Sequence, residues 1–479
     1  MFNSYVYDML YARLREIVGA GNITDKQADR MSYATDVSWV ANMWLDRAKQ
    51  PSMPDVIVRP DSAEQISDIV KIATEYRVPV IPVAGGSGTQ GGWLAISGGI
   101  MIDLKRMNRI IDIDEKSQVA TVEAGALLVN FERALNKLEL SFPHYPASMY
   151  SASVGGCIAA RGSGVMSTKY GKIEDLVLGL DVVLPTGNIF KSIPVPRHAT
   201  GPETTQLFIG SEGTLGVITK ARVKIIQKPT ERSFRCLLFD NLESGMDAGR
   251  QIMLAGLRPA VIRLYDDPST KSFVNRVLGM KLEGNVIILG FEGRRGDMLE
   301  IEKKESLKIC QSLGAKDLGE EPGQHWWDHR YDFYYPPLTP HLPTAFGTMD
   351  SVTTYRDILP LYYHMKEEIE SKYATWNVRF TGHFSHWFAW GAMVYARFFI
   401  DEPPVDAQEA GRLYYDVWST GVNAALKHGG VVNEHHGIGL KLGPFMRRQY
   451  GCGFEVLEGI KKQLDPNNIM NPGKLGFQL

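Results

Sequence analysis

Several side chains in this 479-residue chain have the types and spacing to move protons or hold anions. Asn433-Glu434-His435-His436-Gly437 sets a carboxylate and two imidazoles on a glycine-flanked loop late in the chain. Imidazole titrates near working pH and is the natural general base there; a solvated loop without a role is the alternative. His383 and His386 stand three positions apart, a spacing that chelates a divalent metal if the segment is helical. Arg263, in Val261-Ile262-Arg263-Leu264-Tyr265, carries a guanidinium that can grip a carboxylate or phosphate through two parallel hydrogen bonds. Its alternative is a strand-end salt bridge.

Glycine clusters mark where a ligand could lie. Pro79-Val80-Ile81-Pro82-Val83-Ala84 runs as a strand into a turn holding Gly85, Gly86, Gly88, Gly91 and Gly92, with Ser87 and Thr89 between them. Glycine permits positive φ and close backbone approach, and successive inward N–H groups form an anion-binding nest. Gly86, Gly88 and Gly91 spell G-x-G-x-x-G, but a Rossmann turn needs a helix to open at the motif. Trp93–Gly99 is too short and glycine-rich for one, and Ile100–Leu104 reads as a strand. The loop is therefore expected to join strand to strand; a ligand-free glycine turn is the remaining alternative. A second cluster runs from Ser153 to Gly164 and a third from Gly210 to Ile218. Three such loops within about 130 residues suggest one long ligand threaded between backbone segments.

The elements that must position these groups follow from periodicity. Asp55–Arg59 is a strand bounded by prolines, and Ser62-Ala63-Glu64-Gln65 is a capping box. Ile66, Ile69, Val70 and Ala73 then repeat at helical spacing, completing a β-α-β unit with the strand before the first glycine loop. Strands are expected at Ile110–Asp114, Gln118–Glu123, up to Leu184, and before Gln227-Lys228-Pro229, with a helix at Leu127–Leu138. Between about 230 and 425 glycine thins and aromatics crowd, from His325 to Tyr335 and from His383 to Trp390, which reads as a second, α+β domain. Those aromatic runs are either domain core or the wall of a bulky substrate's pocket. Residues up to about 50 are expected to be helical and peripheral.

Composition narrows the class. A formal net charge of −2, with 22% charged and 44% hydrophobic residues, describes an ordinary globular protein without the basic footprint of a nucleic-acid binder. Four scattered cysteines contain no C-x-x-C pair, so no iron–sulfur or cysteine–zinc site is encoded locally. Asp8, Arg13 and Arg15 interrupt the start before a signal-like core forms, and no 18-residue apolar run exists. A cytoplasmic location is expected.

Taken in order, the three glycine segments resemble the FAD-binding domain of the vanillyl-alcohol oxidase / p-cresol methylhydroxylase superfamily. Phe208-Ile209-Gly210-Ser211-Glu212-Gly213-Thr214-Leu215-Gly216-Val217-Ile218-Thr219 and Asn471-Pro472-Gly473-Lys474 look like its glycolate oxidase D-subunit and D-lactate dehydrogenase branch. Pro259–Asp266 and His435-His436 look more like alkylglycerone-phosphate synthase. The resemblance implies an α+β chain with a two-subdomain FAD-binding domain, an α+β cap domain and a C-terminal helical segment. Expected boundaries are 1–50 for an N-terminal helical segment, 51–228 for FAD binding, 229–425 for the cap, and 426–479 for a segment completing the active site.

It further implies FAD with its pyrophosphate on Ala84, Gly85, Gly86, Ser87, Gly88 and Thr89. Other cofactor contacts would come from Pro146, Ser148, Ser153, Val154, Gly155, Gly156, Gly162, Ser163, Gly164, Glu212, Gly213, Gly216, Val217 and Ile218. Some relatives attach FAD through a histidine beside the pyrophosphate loop; Ser87 and Thr89 stand there, so dissociable FAD is expected. His435 and His436 fall in the register of the synthase's catalytic histidines, Arg263 matches its required arginine, and Tyr395 its active-site tyrosine. Hydroxy-acid relatives show Glu-His-Gly with one histidine, so the second imidazole after Glu434 leaves the base open between His435 and His436. Their metal motif would put a histidine where Trp390 stands, and no metal is expected. The implied activity is oxidation of a hydroxylated substrate, a 2-hydroxy acid of glycolate or D-lactate type, by hydride transfer to FAD. Alternatives are a synthase-like flavin transferase and an oxidase of aryl alcohols or para-alkylphenols. Electrons would leave to oxygen, an electron-transfer flavoprotein or a separate iron–sulfur protein, from a homodimeric enzyme.

Overall fold

The computed structural model describes residues 4–47, 52–332 and 342–479. A four-stranded sheet orders Ile23–Thr24, Val56–Val58, Ile100–Asp103 and Val80–Val83. The helix Ala63–Tyr76 crosses between two of these strands, with the Ser62 hydroxyl accepting from Gln65 N–H and Ile66, Ile69, Val70 and Ala73 buried. The return half of the expected capping box is displaced by one residue: Gln65 Oε1 accepts from Asp61 N–H at 3.0 Å. Val80–Val83 pairs in parallel with Ile100–Asp103, and no helix lies between them. The first glycine loop thus joins strand to strand, and the Rossmann alternative falls.

A five-stranded antiparallel sheet orders Ile110–Asp114, Val119–Glu123, Val217–Lys224, Val177–Val183 and Ile189–Lys191. The second glycine cluster departs from its expected loop form. Val154–Ala160 is a short helix whose N-cap, Ser153, accepts from Gly156 N–H. A Cβ at Gly155 would lie 2.5 Å from that of Ala124, so this glycine lets the helix seat on the sheet.

The third sheet is antiparallel and seven-stranded, in the order Lys316–Gly319, Glu231–Phe239, Asn285–Gly293, Val261–Tyr265, Arg379–Trp387, Gly391–Ile400, Ala345–Thr354. Alternation sorts its side chains. Ile262, Leu264, Phe384, Val394, Ala396 and Phe398 join the core shared with the helices Leu242–Leu254, Ile358–Lys372 and Ala407–Lys427. Their neighbours in sequence face the other way, as the two-residue period of a strand requires.

The N-terminal segment is neither wholly helical nor peripheral. Ile23–Thr24 is a strand paired with Ile57 and Val58. Trp39, Val40 and Met43 are buried in the core of the seven-stranded sheet's layer, where Trp39 stacks on Tyr414 at 5.2 Å. Burying these large apolar groups is worth about 1.5–3 kcal/mol each, enough to draw the segment inward. The chain's end also returns to the first sheet: Val80 N–H donates to Ile469 O and Asn471 N–H to Val80 O. Asn471 Nδ2 donates to both Gly92 O and Glu212 O, tying the first and third glycine segments together. No helix among the described residues is long and apolar enough to cross a membrane.

Candidate active site

Register across the seven-stranded sheet assembles the site. Tyr265 pairs with His383, His383 with Tyr395, and Tyr395 with Asp350, placing residues from four strands in one row on the face away from the helices. Arg263 and Arg397 lie two positions from Tyr265 and Tyr395 on the same face. Arg263 Nη2 is 2.7 Å from His383 Nε2, and Arg397 Nη2 is 3.1 Å from His383 Nδ1. His386 occupies a β-bulge at φ 51°, between Ser385 and Trp387, and the bulge re-aims it toward Glu434. His383 and His386 therefore sit on a strand, and the helical spacing supposed for a metal pair is absent. His383 has both ring nitrogens occupied by guanidinium groups.

The loop 433–437 docks onto Asp350. That carboxylate accepts from the backbone N–H groups of Glu434 and His435, both at 2.8 Å, and lies 2.5 Å from His436 Nδ1. His435 Nδ1 lies 2.9 Å from Glu434 Oε2 and 3.0 Å from Asp350 Oδ2 but off the hydrogen-bonding direction, so these contacts are ionic. Burial alone would lower the His435 pKa; Asp350 first and Glu434 second overcome it and lift it to about 10. His435 is thus a fixed cation. His436 differs: burial outweighs the same carboxylate and takes its pKa below the ordinary imidazole value. With Nδ1–H given to Asp350, a neutral His436 keeps Nε2 as an acceptor. Glu434 is buried among Lys172 Nζ at 3.0 Å, His386 Nδ1 at 3.0 Å and the Ser163 hydroxyl at 3.2 Å. Despite burial, His386 and His435 hold it well below the carboxylate range. The sets Asp350/His435/His436 and His386/Glu434/His435 each bring three ligand atoms within 4.8 Å, with Lys172 Nζ beside Glu434.

A cavity of about 1080 Å³ connects this row to the glycine segments. Of the expected site residues, Ala84 to Thr89, Pro146, Ser148, Ser153, Gly155, Gly156, Gly162, Ser163, Gly164, Glu212, Gly213, Gly216 and Ile218 line it, with Arg263, His383, His386, Tyr395, His435 and His436. Val154, Val217 and Glu434 do not; the first two are fully buried, and Val154 N–H is spent on Ala126 O. Gly86, Ser87, Gly88 and Thr89 donate their N–H groups to no acceptor among the described residues. Four successive free donors on a cavity wall fit the pyrophosphate of a dinucleotide. Gly85 is required for a different reason: a Cβ there would lie 2.2 Å from Ser151 O. Glu212 is pushed up to about 7 by burial, against the N–H groups of Ile438 and Gly439 that it accepts. The aromatic runs divide. Trp326 lines the cavity and donates to the Tyr265 hydroxyl, Trp387 is core and donates to Ile262 O, and Trp390 is 54% exposed. Phe333, Tyr334 and Tyr335 lie outside the described residues.

Five site residues escaped the sequence reading. Asp350 and Arg397 were each detectable as the one charged residue in its strand, Ala345–Thr354 and Gly391–Ile400. Lys172 stood in a charged turn without distinction. Lys441 lines the cavity, donates to Thr89 O, and is lowered to about 8 by burial. His144 is buried on the cavity wall with both ring nitrogens unpartnered, its pKa lowered to about 3 by burial and then by His386, Lys172 and His435.

Residues 54–192 match the FAD binding domain family, and residues 228–475 match the family of FAD linked oxidases, C-terminal domain. The chain belongs to the FAD-linked oxidases. It is 29% identical over 456 residues to the alkyldihydroxyacetonephosphate synthase of Trypanosoma brucei brucei, covering 88% of this chain and 73% of that one. It is 27% identical to glycolate oxidase subunit GlcD of Bacillus subtilis (strain 168), covering 97% and 96%. The solved structure of p-cresol methylhydroxylase with substrate bound superposes with a TM-score of 0.80 at 17% identity, over 99% of this chain and 98% of that one. This FAD-linked oxidase is an FAD-dependent oxidoreductase with the α+β architecture expected from its glycine segments.

Proposed function

We propose that this FAD-linked oxidase oxidises a 2-hydroxy acid to the 2-oxo acid, with His436 as the base and Arg263 as the carboxylate clamp. The observation that carries the reading is the Asp350–His436 pair, 2.5 Å apart, with His436 lining the same cavity as Arg263. Bound FAD supplies the acceptor for the hydride leaving the carbinol carbon. His436 Nε2 takes the hydroxyl proton, Asp350 keeps that nitrogen the acceptor, and the His435 imidazolium steadies Asp350 and Glu434. The guanidinium of Arg263 fixes the substrate's carboxylate, and Tyr395, ring-stacked with His383 at 4.8 Å, fills the wall between clamp and base.

The cofactor is held without a covalent link: Ser87 and Thr89 are the side chains at the pyrophosphate loop, and burial raises the Cys157 thiol on the cavity wall to about 12, suppressing its thiolate. Electrons leave to oxygen, an electron-transfer flavoprotein or an iron–sulfur partner of a homodimeric enzyme. The test is the visible spectrum of the anaerobic protein mixed with D- and L-2-hydroxy acids, aryl alcohols, para-alkylphenols and acylated dihydroxyacetone phosphate. Bleaching by a hydroxy acid supports the reading; bleaching only by phenols or aryl alcohols overturns it. A second reading, flavin-dependent transfer without net oxidation, is favoured by the adjacent His435 and His436 rings, 4.0 Å apart, with Tyr395 5.3 Å from His436. It predicts a changed spectrum with the phosphate ester and no consumption of acceptor.

A further inference from the structure

Arg397 is 93% buried, being 7% exposed, and it lines the cavity. Among the described residues it faces no carboxylate: its contacts are His383 at 3.1 Å and the rings of Phe273 at 4.4 Å and Tyr395 at 5.7 Å, and its Nε has no hydrogen-bond partner. His383 cannot satisfy it. Burial first, then Arg263 and Arg397, holds the His383 pKa well below the ordinary value, so the ring is neutral and accepts at one nitrogen only. The shorter contact is to Arg263, 2.7 Å from Nε2. A ring accepting there carries its proton on Nδ1, and that N–H confronts the Arg397 N–H. A buried guanidinium facing a donor on one side and rings on the other is costly until an anion arrives.

We infer that Arg397 is a specificity-determining residue which, with Arg263 on the opposite edge of His383, makes the pocket select substrates carrying two negative charges over those carrying one. The inference deepens the hydroxy-acid reading: the substrate is a hydroxy acid bearing a phosphate monoester or a second carboxylate. Arg263 takes one anionic end. Arg397 takes the other, and His383, held between Tyr265 and Tyr395, sets the spacing. A single-charge 2-hydroxy acid leaves Arg397 unpaired.

Calorimetric titration of the FAD-loaded protein near pH 8, at fixed ionic strength, tests this with malonate, inorganic phosphate and acetate as probes. At least one dianion is expected to bind about tenfold or more tighter than acetate. R397Q is expected to bring it within about threefold of acetate, with FAD content and melting temperature retained, and R397K to restore part of the preference. A stronger response to malonate points to a dicarboxylate and to phosphate a phosphate monoester. Equal binding of dianions and acetate by the wild-type protein overturns the proposal, and so does an R397Q or R397K protein with the preference undiminished. Should R397Q fail to load FAD, the wild-type preference and R397K decide. Binding is read without turnover, so failure of every hydroxy acid to bleach the flavin would remove the proposed function and leave this result standing.

Discussion

Asp350→Asn exchanges one oxygen for an amide at the centre of the site. Asp350 is buried and receives the backbone N–H groups of Glu434 and His435, Asn433 Nδ2 at 3.2 Å, and His436 Nδ1. A pKa of about 10 for His435, against the ordinary 6.5, means the folded protein prefers the protonated ring by roughly 5 kcal/mol at 1.36 kcal/mol per pH unit. Asp350 is the largest favourable contributor to that preference, ahead of Glu434. Its neutralisation is expected to remove at least half, returning His435 to about 8 or below. His436 is expected to lose its fixed tautomer, lowering the rate of flavin reduction by about 10²–10⁴. Histidine-labelled protein, titrated by NMR, reads the first effect without any substrate, and anaerobic stopped-flow reads the second. A His435 titration unmoved to within about half a pH unit in a folded, FAD-loaded variant would refute the assignment of Asp350 as its counter-ion. An undiminished reduction rate would refute His436 as the base.

Arg263→Ala should raise KM by about tenfold or more, the loss of one charge-assisted clamp, with FAD content unchanged; unaltered kinetics would take Arg263 out of the site. Gly85→Ala drives a Cβ to 2.2 Å from Ser151 O, and overpacking against backbone costs about 1–3 kcal/mol. The variant should melt earlier and release FAD on gel filtration, and a normal melt with full FAD would contradict the packing. The profile of kcat/KM against pH should rise through a pKa below 6.5, because His436 must be neutral to accept the proton and its pKa is lowered. Lys441, lowered to about 8, and then His435 near pH 10 should shape the alkaline side; an acid limb centred above 6.5 that persists in Glu212→Gln, which removes the cavity's other group titrating near 7, would point to a different base.

The sequence alone determined what local backbone chemistry can determine. Glycine is needed wherever the chain must turn tightly or present free N–H groups, and that made the loop at Gly85–Thr89 legible as a candidate anion nest joining two strands. Helical and strand periods located Ala63–Tyr76 and the strands beside it, and the order of glycine segments reached the family later matched across residues 54–192 and 228–475. The spacing did not reveal that Ser153 begins a helix or that Ile23–Thr24 is a strand, because each depends on a distant surface, the Ala124 end of one sheet and the Val58 edge of another. Division of labour among the histidines was likewise beyond it. Adjacent imidazoles in a sequence are equivalent; here His435 is charged because Asp350, 85 positions away, and Glu434 both lie against it, and His436 is neutral because burial outweighs its contact with Asp350. Arg397 and His383 became neighbours through the register of a single hairpin, while Arg263, 120 positions from His383, joined them only through pairing with a separate strand. Electrostatics falls off with distance in space and not along the chain, so which proton each site residue holds was decided by the tertiary structure alone.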